Sequence, residues 1–419
     1  MTDLLERRRA ALGPNVPTFY ERPVHIVRGE GVWLWDADGT RYLDCYNNVP
    51  HVGHCHPHVV AAITEQASKL NTHTRYLHDG IVSYVERLTA TFEDPRQAIM
   101  TCTGSEANDI ALRMAQAVTG KRGFIATNAT YHGNTALVSQ LSTRRPPIGG
   151  YPDHVRLVPA PTTLTPLGGS SAAQGEAFAE GVRQAIADLE ISGVGFAGIM
   201  LCPIFANEGL PDLPDDFLLP TARVVAEAGG LLIADEVQPG FGRTGRAMWS
   251  HTWMGISPDI VTLGKPMGNG HPVAACLARP GVMAAFRDAF GYFNTFGGNP
   301  VSCAAAMAVL DVMEDEGLMA HAARLSPRVV EDLQKLDFRA DAQIRGRGQF
   351  YAVELARDGT PVPALAAWLI EDLKDRGILA GVIGPDRNIL KLRPPMPFGE
   401  SHADLLITTL EDALAACPI

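Results

Sequence analysis

Two short apolar runs, each followed closely by a charged residue, constrain the fold of this chain more than any other feature. Residues 231–234 are wholly apolar and lead into Asp235, and residues 260–263 are followed two positions later by Lys265. Such runs are typical of strands buried on both faces of a parallel sheet. Ligands of open α/β sheets bind beyond the carboxyl ends of the strands, so the acid and the amine are predicted to face one crevice.

An aspartate and a lysine in one crevice suit the chemistry of pyridoxal phosphate. The lysine amine can form a Schiff base with the cofactor aldehyde, and the aspartate can keep the pyridine nitrogen protonated, so that the ring withdraws electrons. Asp235 is therefore the candidate electronic partner, and Lys265 the candidate covalent anchor and proton carrier. Each residue alone is better explained as a helix-capping acid or a surface lysine, and a phosphate site elsewhere in the sequence would decide for the cofactor.

Residues 98–118 supply a candidate phosphate site. A predicted strand over residues 98–102 runs into Gly104 and Ser105, after which apolar residues recur with the period of a helix. The first turn of a helix has unpaired N–H groups and the positive end of the helix dipole, and both attract an anion. Gly104 and Ser105 are the candidate phosphate ligands. The alternative is a serine that only caps the helix.

A further strand is predicted over residues 123–126, shortly before Tyr131 and His132. An aromatic ring that follows a strand of such a sheet can stack on a planar cofactor, and Tyr131 has this position. Strands alternate with helices over most of the chain, which predicts an α/β fold with a mostly parallel, doubly wound sheet. A chain of 419 residues is too long to fold around one compact core. We predict an N-terminal segment over residues 1–50 that joins the small domain, a large cofactor-binding domain over residues 51–310, and a small α/β domain over residues 311–419.

Charge and cysteine usage exclude several classes of function. The formal net charge of −11 argues against nucleic acid as a partner, because phosphate backbones are bound by clustered Lys and Arg. No apolar stretch is long enough to predict a membrane span, and no signal peptide is predicted. The seven scattered cysteines form no CxxC pair, which favours a cytoplasmic protein with reduced thiols. Four histidines within residues 51–58 invite a metal, but no second ligand cluster follows and no metal site is predicted.

Five motifs in order along the chain resemble those of the class III pyridoxal phosphate aminotransferases, a family of fold type I. The motifs are TGSEAN at 103–108, YHG at 131–133, ADEVQPGFGRTG at 234–245, LGKPMGNG at 263–270 and TFGGNP at 295–300. The resemblance covers nearly the whole chain. It implies pyridoxal 5'-phosphate as the cofactor and a large domain with a doubly wound sheet plus a smaller α/β domain.

Carried over position by position, the resemblance implies roles for individual residues. The implied cofactor contacts are Gly104 and Ser105 at the phosphate, Tyr131 and its neighbour His132 at the ring, Asp235 at the ring nitrogen, Val237 on the opposite ring face, Gln238 near the ring hydroxyl, and Lys265 in the Schiff base. Thr295 is implied to reach the cofactor phosphate of a neighbouring subunit, which predicts a homodimer with shared active sites. Arg393 matches the arginine that holds a substrate carboxylate by a bidentate fork. Tyr20 and Asn48 are further candidate substrate contacts.

One loop departs from the family pattern. Many members have a Glu-Pro-Val-x-Gly-Glu-Gly type of loop, whose second glutamate can pair with the substrate-binding arginine. Here residues 202–209 read CPIFANEG, so Cys202 replaces the first acid, and the second is Asn207 or a shifted Glu208. The usual gating of the substrate site is therefore not predicted. Whether Asn207 or Glu208 faces Arg393 stays open.

Three functions are compatible with these residues. The first prediction is transamination between an amine or amino acid and a keto acid through Lys265, because this is the commonest outcome on the scaffold. The alternative is elimination of phosphate and ammonia from a phosphorylated amino alcohol such as phosphoethanolamine, because NNVPHVGHCHPHVV, NTHTRYLHD and GPDRNILKLRPPMPF are similar to stretches of phospho-lyases in this family. An inactive protein that only binds the cofactor is a third possibility, against which the intact Asp235 and Lys265 argue.

Overall fold

The computed structural model describes residues 2–143 and 146–418 of the chain. Its first elements are a helix and a three-stranded meander: α1 (Thr2–Leu12), β1 (Ile26–Glu30), β2 (Trp33–Asp36) and β3 (Arg41–Asp44). The turn between β2 and β3 is closed by Asp36, whose carboxylate accepts hydrogen bonds from the N–H groups of Asp38 at 3.0 Å and Thr40 at 2.8 Å. A short acidic side chain that bonds its own backbone is the physical reason for a tight turn here.

The middle of the chain alternates strands with helices, as predicted. Its elements are α2 (Pro57–Lys69), α3 (Asp79–Thr89), β4 (Gln97–Thr101), α4 (Gly104–Thr119), β5 (Gly123–Thr127), β6 (Val155–Val158), α5 (Gln174–Ile191), β7 (Phe196–Leu201), α6 (Leu219–Glu227), β8 (Leu231–Asp235), α7 (Ser250–Trp253), β9 (Ile260–Leu263), β10 (Ala274–Ala278), α8 (Pro280–Ala289) and α9 (Pro300–Asp315). Short 3₁₀ helices cover Val138–Leu141, Leu167–Gly169 and Lys265–Gly268.

These strands form one seven-stranded sheet in the order β4-β10-β9-β8-β7-β5-β6. All of them run in the same direction except β10, which is antiparallel to both of its neighbours. Residues 264–273 join β9 to β10, and a crossover to a parallel neighbour needs roughly a dozen residues or more, so the chain turns back instead. The prediction of a mostly parallel sheet is confirmed.

One edge of this sheet collects the segments that the sequence analysis singled out. The carboxyl ends of β4, β5, β7, β8 and β9 point the same way, because these strands are parallel. They lead respectively into the start of α4, the loop with Tyr131, the loop over residues 202–209, Asp235 and Lys265. In the register of β8 and β9, Asp235 lies opposite Thr262, three residues before Lys265. The sheet therefore brings the acid and the amine to the same crevice.

The remaining elements form two smaller sheets. They are α10 (Leu318–Gln334), β11 (Asp341–Arg347), β12 (Phe350–Arg357), β13 (Thr360–Pro361), α11 (Pro363–Asp375), β14 (Ile378–Leu379), β15 (Gly381–Ile383), β16 (Ile389–Leu392) and α12 (Glu400–Ala416). One sheet has the order β11-β12-β16-β15, with β13 paired to β12, and the other has the order β1-β2-β3-β14.

The N-terminal meander packs with the C-terminal residues. Strand β14 pairs in parallel with β3, and Val32, Leu43 and Cys45 lie in the same apolar core as residues from α10 to α12. Residue 310, at which we predicted a domain boundary, lies inside the continuous helix α9, which packs on α2. The division at residues 50 and 310 stays a prediction.

Candidate active site

Asp235 ends β8 with 6% of its surface exposed, and its carboxylate is fixed by three donors. Its Oδ2 accepts hydrogen bonds from His132 Nδ1 at 2.7 Å and from Asn108 Nδ2 at 3.1 Å. Its Oδ1 accepts one from the backbone N–H of Val237 at 3.0 Å. A buried carboxylate held at both oxygens has one orientation, which suits a group that must meet a cofactor atom at a defined place.

Asn108 is a site residue that the sequence analysis missed. Its amide donates to Asp235 and, at 2.7 Å, to the carbonyl of His132, while its Oδ1 accepts a hydrogen bond from the Thr262 hydroxyl. The signal in the sequence is an asparagine on the otherwise apolar face of α4, next to Ala107. A polar side chain on a buried helix face has to find partners, so such a position indicates a buried network.

The start of α4 is arranged as an anion site. Thr103 caps the helix by accepting a hydrogen bond from the N–H of Glu106 at 3.2 Å, and the Glu106 carboxylate accepts one from the N–H of Thr103 at 3.1 Å. The first N–H groups of a helix have no partner inside it, which leaves those of Gly104 and Ser105 directed outward. The alternative in which Ser105 is the cap is wrong, because Thr103 occupies that position.

Three motifs meet in a close contact around Val237. A Cβ added to Gly104 would lie 2.9 Å from Cγ2 of Val237, and one added to Gly264 would lie 3.2 Å from Cγ1 of Val237 and 3.4 Å from Cα of Gly104. A side chain at 104 would require Val237 to shift, and one at 264 would be tightly crowded. The helix tip, the residue after Asp235 and the residue before Lys265 therefore line one small cradle.

Lys265 has an unusual backbone and is partly buried. Its φ is +24°, in a region that L-residues with long side chains rarely adopt, and it starts a 3₁₀ turn directly after Gly264. A strained residue of this kind costs about 1 to 3 kcal/mol and is typical of sites where a side chain has to be aimed. The fold holds this lysine in a conformation that a surface lysine does not need.

The loop that carries Tyr131 is hydrogen-bonded to the start of α4 and to the loop over residues 202–209. The N–H of Asn134 donates to Ser105 Oγ at 3.1 Å, and Thr135 Oγ donates to the Ser105 carbonyl at 3.3 Å. On the other side, Asn207 Nδ2 donates to the Tyr131 carbonyl at 3.1 Å. Because Ser105 Oγ accepts from the loop, its own hydrogen remains for an anion at the helix tip.

Arg393 is buried with 1% of its surface exposed, and its guanidinium donates to two neutral oxygens, those of the Gln238 side chain and the Ala206 carbonyl. Gln238 Nε2 in turn donates to Asn207 Oδ1 at 3.0 Å. Glu208 is directed elsewhere, since its carboxylate accepts hydrogen bonds from Thr127 Oγ at 2.6 Å and from the N–H of Asn207 at 3.1 Å. Of the two loop residues left open, Asn207 is thus linked to Arg393 through Gln238.

A second buried arginine adds positive charge beside Arg393. Burial and the neighbouring charge of Arg393 lower the pKa of Arg243 to about 9. The guanidinium carbons of Arg243 and Arg393 lie 5.6 Å and 5.0 Å from the ring centre of Phe350. Arg243 also donates to the Pro394 carbonyl at 2.7 Å. Two cations in one buried region favour an anionic ligand.

The three remaining predicted residues, Tyr20, Asn48 and Thr295, take part in none of the hydrogen bonds described above. The Tyr20 hydroxyl donates to the Ala380 carbonyl at 2.9 Å, in the wall of a cavity of about 400 Å³ next to the N-terminal meander. Asn48 is buried, and its Nδ2 has no hydrogen-bond partner among the described residues. Thr295 is exposed on the loop before α9.

The four histidines of the loop over residues 51–58 each have an oxygen partner. The pairs are His51 with the Phe241 carbonyl, His54 with Asp44, His56 with Glu316 and His58 with Asp311. The histidines fix this segment to the loop after β8, to the end of β3 and to the C-terminal part of α9.

Across residues 2–143 and 146–418, no group of three or more His, Cys, Asp or Glu is placed to hold a metal ion. None of the helices in those ranges combines the length and the apolar character that a bilayer span requires.

Comparison with known proteins identifies the family. The family model described as "Aminotransferase class-III" matches residues 17–414. The chain belongs to the class-III aminotransferase family. It is 36% identical to an alanine–glyoxylate aminotransferase 2-like protein of Drosophila melanogaster, over 99% of this chain and 87% of that protein. It is 35% identical to ethanolamine-phosphate phospho-lyase homolog 1 of Caenorhabditis elegans, over 98% of this chain and 93% of that protein.

Among solved structures, a phospholyase from Arthrobacter in complex with phosphoethanolamine superimposes with a TM-score of 0.95. The two chains share 42% sequence identity, and the match covers 99% of this chain and 100% of that one. As a member of the class-III family, the chain has the α/β architecture of fold type I and uses pyridoxal phosphate. The cradle at Val237, the open N–H groups of α4 and the fixed Asp235 carboxylate fit a planar ring with a phosphate at one end.

Proposed function

We propose that this class-III protein is a phospho-lyase, which eliminates phosphate and ammonia from a small phosphorylated amino alcohol of the phosphoethanolamine type. The sequence-based prediction ranked transamination first and phosphate elimination second, and this proposal reverses that ranking. The surroundings of Arg393 carry the proposal. Its guanidinium meets two neutral oxygens, and the acid of the loop, Glu208, is bonded to Thr127 instead. In many members of the family a loop glutamate can pair with this arginine, and the different contact of Glu208 here is what favours the lyase over the transaminase. The 42% identity to a phospholyase bound to phosphoethanolamine supports the same choice.

We further propose how the chain holds the cofactor. Gly104 and Ser105 bind its phosphate at the helix tip, Asp235 meets the ring nitrogen with support from His132, and Lys265 takes its aldehyde. Tyr131 and Val237 cover the two ring faces, and Gln238 lies at the ring hydroxyl. When bound, pyridoxal phosphate supplies an electron sink that stabilises negative charge at the carbon next to the substrate amine.

The protein residues then handle the proton and the leaving group. The amine of Lys265 removes the hydrogen from the carbon that bears the substrate amine and carries it within the site. The charges of Arg393 and Arg243 balance the phosphate as it departs, and both guanidiniums are buried, which strengthens this interaction. Asn48 and Tyr20 stay proposed substrate contacts: the Nδ2 of Asn48 has no partner among the described residues, and the Tyr20 hydroxyl donates to the Ala380 carbonyl. After addition of water, the carbon product from phosphoethanolamine is acetaldehyde.

A transaminase is the second candidate, because the Drosophila relative carries that name. Both activities require Lys265 and Asp235 but differ in what they consume. A transaminase needs a keto acid as acceptor, and a lyase releases phosphate without one. An inactive cofactor-binding protein would do neither.

We expect purified holoenzyme with phosphoethanolamine, and no keto acid, to release inorganic phosphate and ammonia in equal amounts over many turnovers. Arg393→Met should lower kcat/KM for this reaction about tenfold to a hundredfold, because a hydrogen bond to a charged group contributes about 1.5 to 3 kcal/mol. Colorimetric phosphate and enzymatic ammonia assays measure both. Amino transfer to pyruvate or glyoxylate without phosphate release would instead support the second candidate.

We also propose that the protein is a homodimer. Four exposed apolar side chains, Tyr76, Leu77, Phe293 and Phe296, flank the loop that carries Thr295. The two segments are in contact, since Arg75 lies 3.8 Å from the ring centre of Phe293. Exposed apolar patches of this kind mark interfaces, and a second copy that covers this one would meet Thr295. The cytoplasmic location stays a prediction.

Leu77→Glu should weaken the dimer, because Leu77 is fully exposed in one chain and would place a charge inside the interface. Light scattering coupled to size-exclusion chromatography should give a monomer mass, or a concentration-dependent mass, for this variant. Ile191→Glu is the matched control, since Ile191 is equally exposed but ends α5. If both variants keep the mass of the unmodified protein, this patch does not form the interface.

A further inference from the structure

Two buried arginines of one sheet bond the same short loop after β7. Arg393, directly after β16, donates to the Ala206 carbonyl. Arg345, on β11, donates through Nε to the Leu210 carbonyl at 2.8 Å and through Nη2 to the Gly209 carbonyl at 3.0 Å. The sheet that contains β11, β12 and β16 therefore contacts this loop at two places. Only one of them involves the proposed substrate arginine.

The register of the sheet explains why both arginines reach this loop. Ala352 of β12 lies opposite Arg345 on one side and opposite Lys391 on the other, and Lys391 is two residues before Arg393. Because β11 and β16 both pair antiparallel with β12, they run in the same direction. Arg345 is therefore level with a residue that almost directly precedes Arg393.

Glu354 fixes the orientation of Arg345. Its Oε2 accepts a hydrogen bond from Arg345 Nη1 at 2.7 Å, and 8% of Glu354 and 7% of Arg345 are exposed. Each nitrogen of the guanidinium thus donates to an acceptor, Nη1 to the carboxylate and the others to the loop carbonyls. A buried guanidinium that is bonded in this way has one orientation, because its donors form a rigid fork.

The loop has a strained backbone on both sides of Ala206. Phe205 has a φ of +50° and Leu210 a φ of +53°, in the left-handed region that bulky L-residues rarely adopt. A Cβ added to Gly209 would lie 2.6 Å from Cδ1 of Ile389, so the loop backbone lies directly on β16. Such conformations persist only where the surroundings hold them, and the hydrogen bonds to the carbonyls of residues 209 and 210 are part of these surroundings.

We propose that Arg345, oriented by Glu354, is a positioning residue for substrate recognition. By holding the loop backbone, it keeps the Ala206 carbonyl where Arg393 donates to it, and so fixes the guanidinium of Arg393 for an anionic substrate. Arg345 acts through the loop and Arg393, not by contact with the substrate. This inference rests on the proposed function, in which Arg393 meets the phosphate of the substrate.

Apolar packing alone is the competing explanation for the position of the loop. The ring of Phe205 packs edge-on against Phe178 and Phe217, with ring centres 5.7 Å and 5.6 Å apart. These contacts hold the side chain of Phe205, whereas Arg345 holds the carbonyls at the other end of the loop. If packing is sufficient, loss of Arg345 lowers the stability of the protein and leaves substrate binding unchanged.

Arg345→Met combined with Glu354→Gln tests the proposal in the holoenzyme, because this pair of changes leaves no buried carboxylate unpaired. The KM for phosphoethanolamine should rise about tenfold, the factor that corresponds to one lost hydrogen bond of a charged group. The kcat should stay within about threefold, because the lost contact orients a binding group. The inhibition constant of inorganic phosphate should rise with KM, since it reports anion binding without turnover. No change in either constant, or a loss in kcat alone, would overturn the proposal.

Two conservative variants separate orientation from charge. In Glu354→Gln the amide oxygen can still accept from Arg345 Nη1, so KM should stay within about twofold of that of the unmodified protein. Arg345→Lys keeps the positive charge, but a single amine cannot span the carboxylate and both carbonyls, so its KM should be intermediate. This variant also keeps the proposal testable if the double variant does not fold. A lysine variant with an unchanged KM would then refute the role of Arg345.

Arg393→Met shows whether Arg345 acts through Arg393. In this background the changes at residues 345 and 354 should raise KM no further, because no guanidinium is left for the Ala206 carbonyl to hold. A further rise of about tenfold would mean that the two residues act independently, which contradicts the proposal.

Arg96→Met combined with Asp94→Asn is the matched control. Arg96 is also buried, bonds the Asp94 carboxylate at 2.9 Å, and donates to the carbonyls of Pro258 at 2.7 Å and Asp259 at 2.9 Å. These carbonyls precede β9, at the end of that strand away from Lys265. The control should lower thermal stability and leave KM unchanged. An equal rise of KM in both double variants would reflect a general loss of stability and would contradict the proposal.

Failure of the proposed function gives a different result. A protein that transfers amino groups to pyruvate and releases no phosphate overturns the proposed function but not the role of Arg345. The same variants then test that role through the KM for pyruvate, whose carboxylate is the anion that Arg393 would meet. Normal phosphate release with an unchanged KM in the variants overturns only the role of Arg345.

Discussion

Replacing Lys265 with alanine should abolish turnover of every amine substrate, with a loss of at least about 10⁴-fold, the upper range for a positioned acid or base. The variant lacks both the amine that takes the cofactor aldehyde and the base that removes the substrate proton. The phosphate site at the start of α4 and the Asp235 carboxylate remain, so the cofactor should still bind without a covalent link. Phosphate release and the absorption spectrum after gel filtration measure the two effects.

Lys121→Ala is the control for this variant, since Lys121 pairs with Glu190 at the surface and should be replaceable. Alanine keeps the Cβ and therefore the backbone strain at position 265, so thermal stability should stay close to that of the unmodified protein. Turnover in Lys265→Ala at a rate close to that of the unmodified protein would mean that another residue holds the cofactor.

Asp235→Asn should lower kcat about 10²- to 10³-fold, the range found when a fixed charge or donor is removed from an active site. An amide has nearly the shape of the carboxylate, but it cannot neutralise a protonated ring nitrogen. Donors face both carboxylate oxygens, so an amide oxygen that accepts from His132 and Asn108 leaves the N–H of Val237 opposite an amide N–H. Steady-state kinetics with phosphoethanolamine should place most of the loss in kcat.

Asp259→Asn is a matched control at the opposite end of the same strands. Asp259 accepts a hydrogen bond from the N–H of Leu232 at 2.9 Å and pairs with Arg279, outside the crevice. The Asp259→Asn variant should lose some stability, and its kcat should stay within about twofold of that of the unmodified protein. Equal losses in both variants would indicate a general effect on the sheet and would argue against a specific role for Asp235.

The elements that the sequence predicted best are those with strong local patterns. The apolar runs before Asp235 and Lys265 are strands of the central sheet, and the strand, glycine and helix around Gly104 lie where the periodicity places them. The turn around Asp36 also follows from local chemistry. In these segments the residues that decide the structure are neighbours in the chain, so the pattern is visible without the fold.

Other features depend on contacts between distant segments. The direction of β10 follows from a short connection, and the role of Asn108 depends on Asp235 and Thr262, which lie on two other strands. The sequence left open whether Asn207 or Glu208 faces Arg393, and the contacts described here come from Gln238 and Ala206. Sequence spacing reveals which residues are polar but not which of them share a buried network.

The pairing of β14 with β3 has a consequence for how the protein is made. The meander is completed by Ile378 and Leu379, which bond to Leu43 and Asp44 from the other end of the chain. During synthesis, one edge of β3 therefore has no hydrogen-bond partner until Ile378 and Leu379 of β14 have been made. Exposed strand edges can pair with other chains, so we expect this protein to be most prone to aggregation before β14 has been made.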